Sequence, residues 1–141
     1  MIKIKYRSSG TGVIFVQIPV NGHSVSVRYH RGLNKFCVDD SNSFMYQMQE
    51  MEVGDRGVGN AIKDAYDRIN GYQRGIDAFN EKYPDYDEIM GKRFSGQITD
   101  EERLDIEYFM GDADEQQAAQ EELNALCHEI FDSYLEQIRG S

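Results

Sequence analysis

Hydrophobic and polar side chains alternate with a period of two in two stretches of the first 31 residues, and later segments change to a helical period. Met1 to Arg7 sets Ile2, Ile4 and Tyr6 on one side and Lys3, Lys5 and Arg7 on the other. Gly12 to Arg31 reads as a hairpin centred on Asn21-Gly22. That dipeptide suits a two-residue type I′ turn because both central positions need φ > 0. Pairing about this centre puts Ile18 opposite Val25, Val16 opposite Val27 and Ile14 opposite Tyr29 on a wholly apolar face. The reverse face then carries Phe15 opposite Arg28, Gln17 opposite Ser26 and Val13 opposite His30. A slip of one residue would mix the two sets, so turn chemistry and patterning agree on a three-stranded antiparallel meander with one dry and one basic face.

Beyond the hairpin, Arg31-Gly32-Leu33-Asn34 reads as a turn and Lys35 to Val38 as a short extension back toward the sheet. Ser41 to Val53 fits both periods: Phe44, Met45, Met48 and Met51 at helical spacing, Phe44, Tyr46 and Met48 in alternation. Its Met, Gln and Glu content favours helix. Three glycines between Gly54 and Gly59 predict a flexible connection. Asn60 then caps a long helix whose apolar stripe runs through Ile62, Ala65, Ile69, Tyr72, Ile76 and Phe79, ending before Pro84. Residues 85–94 suggest one or two helical turns. Thr99 and Glu102 form a capping box for a short helix to Met110, which Gly111 stops. Asp112 or Asp114 caps a last helix with a stripe through Leu123, Leu126, Cys127, Ile130, Tyr134 and Ile138.

Charge changes this picture. The net charge is −10, yet the first 38 residues carry six basic side chains and no acidic one. The remaining residues hold nine basic and all 25 acidic side chains. Asymmetry of this kind predicts two surfaces with different partners, or a basic face that the molecule holds in check itself. The 141 residues suffice for one ordinary core, or for a small sheet domain with a small helical lobe. No apolar run reaches the length of a membrane span, and the N-terminus lacks the pattern of a signal peptide, so a cytoplasmic location is expected. Cys37 and Cys127 fit no metal spacing and read as packing residues.

Catalytic and cofactor signatures are lacking. Gly57-Val-Gly59-Asn-Ala-Ile62 has neither the third glycine of a dinucleotide fingerprint nor a clear strand before it, and no phosphate loop occurs. Asp112-Ala-Asp114 begins like a calcium loop without its sixth-position glycine. His23, His30 and His128 have no metal spacing, and no acid is paired with a nucleophile. The expectation is therefore a protein that is not an enzyme and has no cofactor or metal. The candidate nucleic-acid-binding residues are Lys3, Lys5, Arg7, Phe15, Gln17, Arg28 and His30: cations for phosphates, with polar groups and one aromatic for bases or sugars. The bland counterpart is an ordinary solvent-facing sheet surface, with Phe15 and Arg28 as a cross-strand cation–π pair.

The order of strand, Gly-Val-Ile-Phe-Val-Gln-Ile strand, turn, Ser-Val-Ser-Val-Arg-Tyr strand and Arg31-Gly32-Leu33, then a long helix from Asn60 and a Thr99-Asp-Glu-Glu helix, resembles the arm-type N-terminal DNA-binding region of Bacteroides-like tyrosine recombinases. The resemblance covers residues 1–110 and implies a sheet, packed on a helix, that enters the major groove. The family's catalytic arginines and tyrosine nucleophile have no counterpart in these residues, so recombinase activity is not implied. Acidity after Asp85 also departs from the family.

These readings predict an α+β chain with a three-stranded N-terminal antiparallel sheet packed on the long helix and an acidic helical C-terminal part. Residues 1–83 and 84–141 are its expected divisions, joined in one compact unit. The expected function is a non-enzymatic DNA-binding module of a phage or mobile element, with duplex DNA as partner and no membrane. The alternative is a small acidic phage-type inhibitor or adaptor that imitates nucleic acid and binds a basic nucleic-acid-handling protein, such as a host defence nuclease. Between Asp100 and Glu136 stand 13 acids and a single base, Arg103. Glu115, Glu122, Glu129 and Glu136 recur every seven residues as one ridge for that partner.

Overall fold

The computed structural model of the protein describes residues 2–9, 11–39, 48–54 and 56–135. Its class is α+β. Among the described residues, five strands form one antiparallel sheet: β1 (Ile2–Ser8), β2 (Val13–Val20), β3 (His23–His30), β4 (Lys35–Val38) and β5 (Gln49–Val53), in the order β4-β3-β2-β1-β5. Three α-helices follow, α1 (Arg56–Lys82), α2 (Tyr86–Ser95) and α3 (Asp100–Phe131), and then a 3-10 turn at Asp132–Tyr134. The chain divides into two units, one built from residues up to Tyr66 and from Gln120 onward, the other from Asp67–Ala119.

In the first unit, Asn21 and Gly22 both hold positive φ, at 50° and 78°, as the I′ turn demands. The hairpin register follows the turn, with Ile14 opposite Tyr29, Val16 opposite Val27 and Ile18 opposite Val25, all six side chains fully buried.

The expected three-stranded sheet is corrected to five strands. In three strands β1 would be an edge with half its backbone groups unpaired. β5 fills that edge, pairing Ile2 with Val53 and Ile4 with Met51. Residues 49–53 are therefore strand rather than helix. Ladder pairing outweighs the modest helix preference of Met, Gln and Glu. Residues 41–47 of that segment lie outside the described residues.

On the other edge, Asn124 and Gln120 of α3 take the place of a further strand. The Phe36 N–H donates to Asn124 Oδ1 at 2.8 Å, and Gln120 Nε2 donates to the Phe36 carbonyl at 2.9 Å. One helical turn separates the two side chains, so a helix face satisfies both outward groups of an edge residue. Phe36 stacks on Phe131, and the His128 ring stands edge-on to it, with Nε2 2.9 Å from the Asn34 carbonyl.

Two helix boundaries are also corrected. α1 begins at Arg56, so Gly57 and Gly59 lie inside a helix rather than in a flexible connection, and Asn60 is not its cap. A Cβ on Gly59 would stand 2.7 Å from Ile2 Cδ1, so the bare glycine admits the helix close to the sheet. Asn60 Oδ1 instead accepts from Asn21 Nδ2 at 3.1 Å. α3 is one 32-residue helix where two were expected. Its capping box forms as expected, Thr99 Oγ1 accepting from Glu102 N at 3.2 Å and Glu102 Oε1 from Thr99 N at 3.1 Å. The helix passes through Gly111 because a helical glycine costs only about 1 kcal/mol, so neither Asp112 nor Asp114 is a cap. The sheet's cover is accordingly shared: Ile62 and Ala65 of α1 are buried in this unit together with Leu123, Cys127 and Phe131 of α3.

The second unit packs Phe79, Ile89, Met90 and Ile106 into its own small core, flanked by Tyr83, Ile98 and Phe109. Phe79 and Phe109 stack at 4.2 Å between centroids. Asp85 caps α2 by accepting from Glu88 N, and Gly96 ends it at φ 76°. Lys82 Nζ reaches Glu101 at 2.9 Å and Asp105 at 2.8 Å, and Tyr83 OH donates to Asp105 at 2.6 Å.

Two outcomes are expected. Asn124→Ala strands the Phe36 N–H and should lower stability by about 1–3 kcal/mol, read as a fall in the urea midpoint. Pairing with Lys82 and Tyr83 holds the Asp105 carboxyl below its ordinary range, and the Thr99 cap and Lys92 do the same for Glu102. Groups lowered in the folded state add stability above the unfolded carboxylate pKa and lose it as pH falls through the folded value. Acid titration followed at 222 nm should therefore show helix loss below about pH 4, and Asp105→Asn should shrink that loss.

Candidate nucleic-acid interface

The strand alternation that buries Ile14, Val16 and Ile18 turns Phe15 and Gln17 outward, and pairing aligns the outward residues of neighbouring strands in rows. One row runs Cys37, Arg28, Phe15, Arg7 across β4, β3, β2 and β1. A second runs Ser26, Gln17, Lys5, Glu50 across β3, β2, β1 and β5. A third brings Lys35 beside His30 and His30 beside Val13. All seven candidate residues thus share one face.

The acids of β5 change the charge of that face. Lys3 Nζ lies 3.0 Å from Glu50 Oε2, and the bond raises the lysine above its ordinary range and lowers the carboxyl below its own. Lys5 stands opposite Glu50 and Lys3 opposite Glu52 in the register. At this end, then, the sheet carries its own counterions. The pair is exposed and contributes little to stability; its effect is on the potential of the surface.

The opposite end holds further cations, one of which, Arg28, has a carboxylate of its own within reach. Arg7 stands at the end of β1, and Arg28 Nε donates to His30 Nε2 at 3.1 Å. Arg28 Nη1 lies 3.9 Å from Asp39 Oδ1, whose side chain is only 3% exposed. Arg31 Nη2 donates to Ser8 Oγ at 2.6 Å and its backbone N–H to the Gly12 carbonyl at 3.0 Å, which tie the β3–β4 turn to the strand ends beside it. Asn34 holds that turn at φ 49°, and Leu33 projects from it, 74% exposed. Lys35 therefore joins Arg7, Arg28 and His30 at one corner of the outer face, whereas Arg31 turns to Ser8, whose strand partner Ile14 faces the core. Residue patterning missed Lys35, although the acid-free charge of the first 38 residues contained the signal.

Other candidate chemistry resolves into packing. Gly57 and Gly59 lie in the first turns of α1, and Gly59 stands against Ile2 of the sheet. Cys127 is buried, and desolvation pushes its thiol far up. Cys37 is half-exposed beside Arg28. No cluster of metal-ligating side chains occurs among the described residues. No helix among them is long and apolar enough to cross a membrane. Of the acidic ridge, Glu115, Glu122 and Glu129 are exposed on α3. Glu136 lies outside the described residues. Asp67–Ala119 holds 14 acidic against 6 basic side chains. Comparison with family models, curated proteins and solved structures yields no match to the chain.

Proposed function

We propose that the protein is a non-enzymatic DNA-binding module of a phage or mobile element, which lays the cationic corner of its sheet against duplex DNA. The observation that carries this reading is the row Arg7, Phe15, Arg28, two guanidinium groups on either side of an aromatic ring on three adjacent strands. Two strand spacings set the flanking backbones about 10 Å apart. That span suits a major groove about 12 Å wide, whose walls are phosphates and whose floor offers base edges and thymine methyls. Lys35 extends the cationic surface along the strand ends, and Gln17 and His30 supply hydrogen-bonding groups beside it.

Titration of duplex DNA at several salt concentrations tests this. Three cations at phosphates, Arg7, Arg28 and Lys35, predict a slope of log K on log salt of about −3, and Arg7→Ala with Arg28→Ala should reduce it by about 2. Glu50→Gln with Glu52→Gln should tighten binding, because it removes the counterions that the sheet supplies to itself. Absence of binding by the wild type at about 50 mM salt would refute the reading.

The concentration of acids in Asp67–Ala119 and the exposure of Glu122 and Glu129 favour a second reading, the acidic adaptor that binds a basic nucleic-acid-handling protein. Under that reading Glu122→Gln with Glu129→Gln should slow association with the partner and weaken its salt dependence, since interfacial charge acts mainly on the encounter rate.

A further inference from the structure

In the second unit, α1 and α3 leave a groove of about 280 Å³. Gly75 and Ala78 make one side shallow, the stacked rings of Phe79 and Phe109 form the floor, and Tyr108, 71% exposed, forms the other wall. Two carboxylates line it and differ in state. Asp105 is spent, since it accepts from both Lys82 and Tyr83, and Glu101 completes the neutralisation of Lys82. Asp112 is half-buried, with an oxygen lying where a Cβ of Gly75 would stand. No cation or hydrogen-bond donor among the described residues pairs with it. A carboxylate at the mouth of an aromatic groove, with no cation beside it, offers a partner to one brought from outside.

We infer that this groove receives an arginine side chain presented by a partner protein, with the guanidinium against Asp112 and the Tyr108 ring and the aliphatic stem over Phe109 and Ala78. Three features select this occupant. The groove is apolar in its middle, with the Lys82–Asp105 pair at one end and the Asp112 carboxylate at the other, and the stretch from Ala78 to Asp112 matches a side chain with an apolar stem and a charged head. Its wall is an aromatic face, on which a planar guanidinium stacks better than a compact, strongly hydrated ammonium. The surrounding unit carries 14 acids against 6 bases, so its field attracts a basic partner and repels an acidic one. Gly75 is then required by the site, since any side chain there would displace the Asp112 carboxylate. The inference stands whether or not the sheet binds DNA.

The test is NMR titration of the isotopically labelled full chain with the peptide acetyl-Gly-Arg-Gly-amide, beside its lysine and citrulline counterparts. Arginine peptide should shift the amides of Gly75, Ala78, Tyr108 and Asp112 in a saturable way with a Kd near about 1 mM, the range for one side chain. Citrulline, which keeps the shape without the charge, should bind at least about fivefold more weakly, and lysine about threefold more weakly. Asp112→Asn should weaken arginine binding by about fivefold, and Tyr108→Ala, at an exposed position that leaves the fold intact, by about threefold. Equal binding of arginine and citrulline, equal binding of arginine and lysine, an unaffected Asp112→Asn variant, or shifts that spread over Glu107 and Glu115 to the same degree would each overturn the assignment.

Discussion

Positive φ at both Asn21 and Gly22 is the constraint on which the sheet depends, because a two-residue turn leaves a single register for the strands that it joins. That register decides the side of every residue in β2 and β3, and pairing passes the decision to β1 and β4. A shift of β3 by one residue would carry Arg28 and His30 into the core and expose Val25, Val27 and Tyr29, exchanging the burial of apolar side chains, each worth about 1.5–3 kcal/mol, for the desolvation of charge. The apolar face and the cationic face therefore share one cause.

The two edges of the sheet differ, and both shape what the outer face offers. On the β4 side, Asn124 and Gln120 satisfy the backbone of Phe36 as another strand would. Their helix thereby protects the edge against pairing with a second chain. On the β5 side the strand brings acids to the outer face, Glu50 and Glu52. The same acids sit opposite Lys5 and Lys3 and cancel the positive potential there. Cationic character is left at the corner of Arg7, Arg28 and Lys35.

Gly59 and Gly75 serve α1 in the same way, by removing the side chain where something else must come close. At Gly59 the neighbour is the end of Ile2, and the close approach is apolar packing of helix on sheet. At Gly75 the neighbour is the Asp112 carboxylate, and the close approach leaves an acid at the mouth of an aromatic groove. One residue type thus contributes to stability in one unit and to surface chemistry in the other.

What the sequence determined alone is what acts within a few residues of itself or through strict alternation. The I′ turn, the faces and register of the first three strands, the Thr99 capping box and the acid-free stretch of 38 residues were all legible, because φ preference, the period of two and an i to i+3 hydrogen bond need no distant partner. Tertiary structure alone decided that residues 49–53 are strand, since they fitted both periods until the open edge of β1 supplied a ladder. It decided that helices run through Gly57, Gly59 and Gly111, where glycine's weak helix preference was read as a break but packing needed its small size or tolerated its cost. The charge of the candidate site was likewise a tertiary matter. Net charge along the chain counts Lys3 and Lys5 as free cations, whereas Coulomb energy depends on distance in space, and folding sets Glu50 and Glu52 beside them.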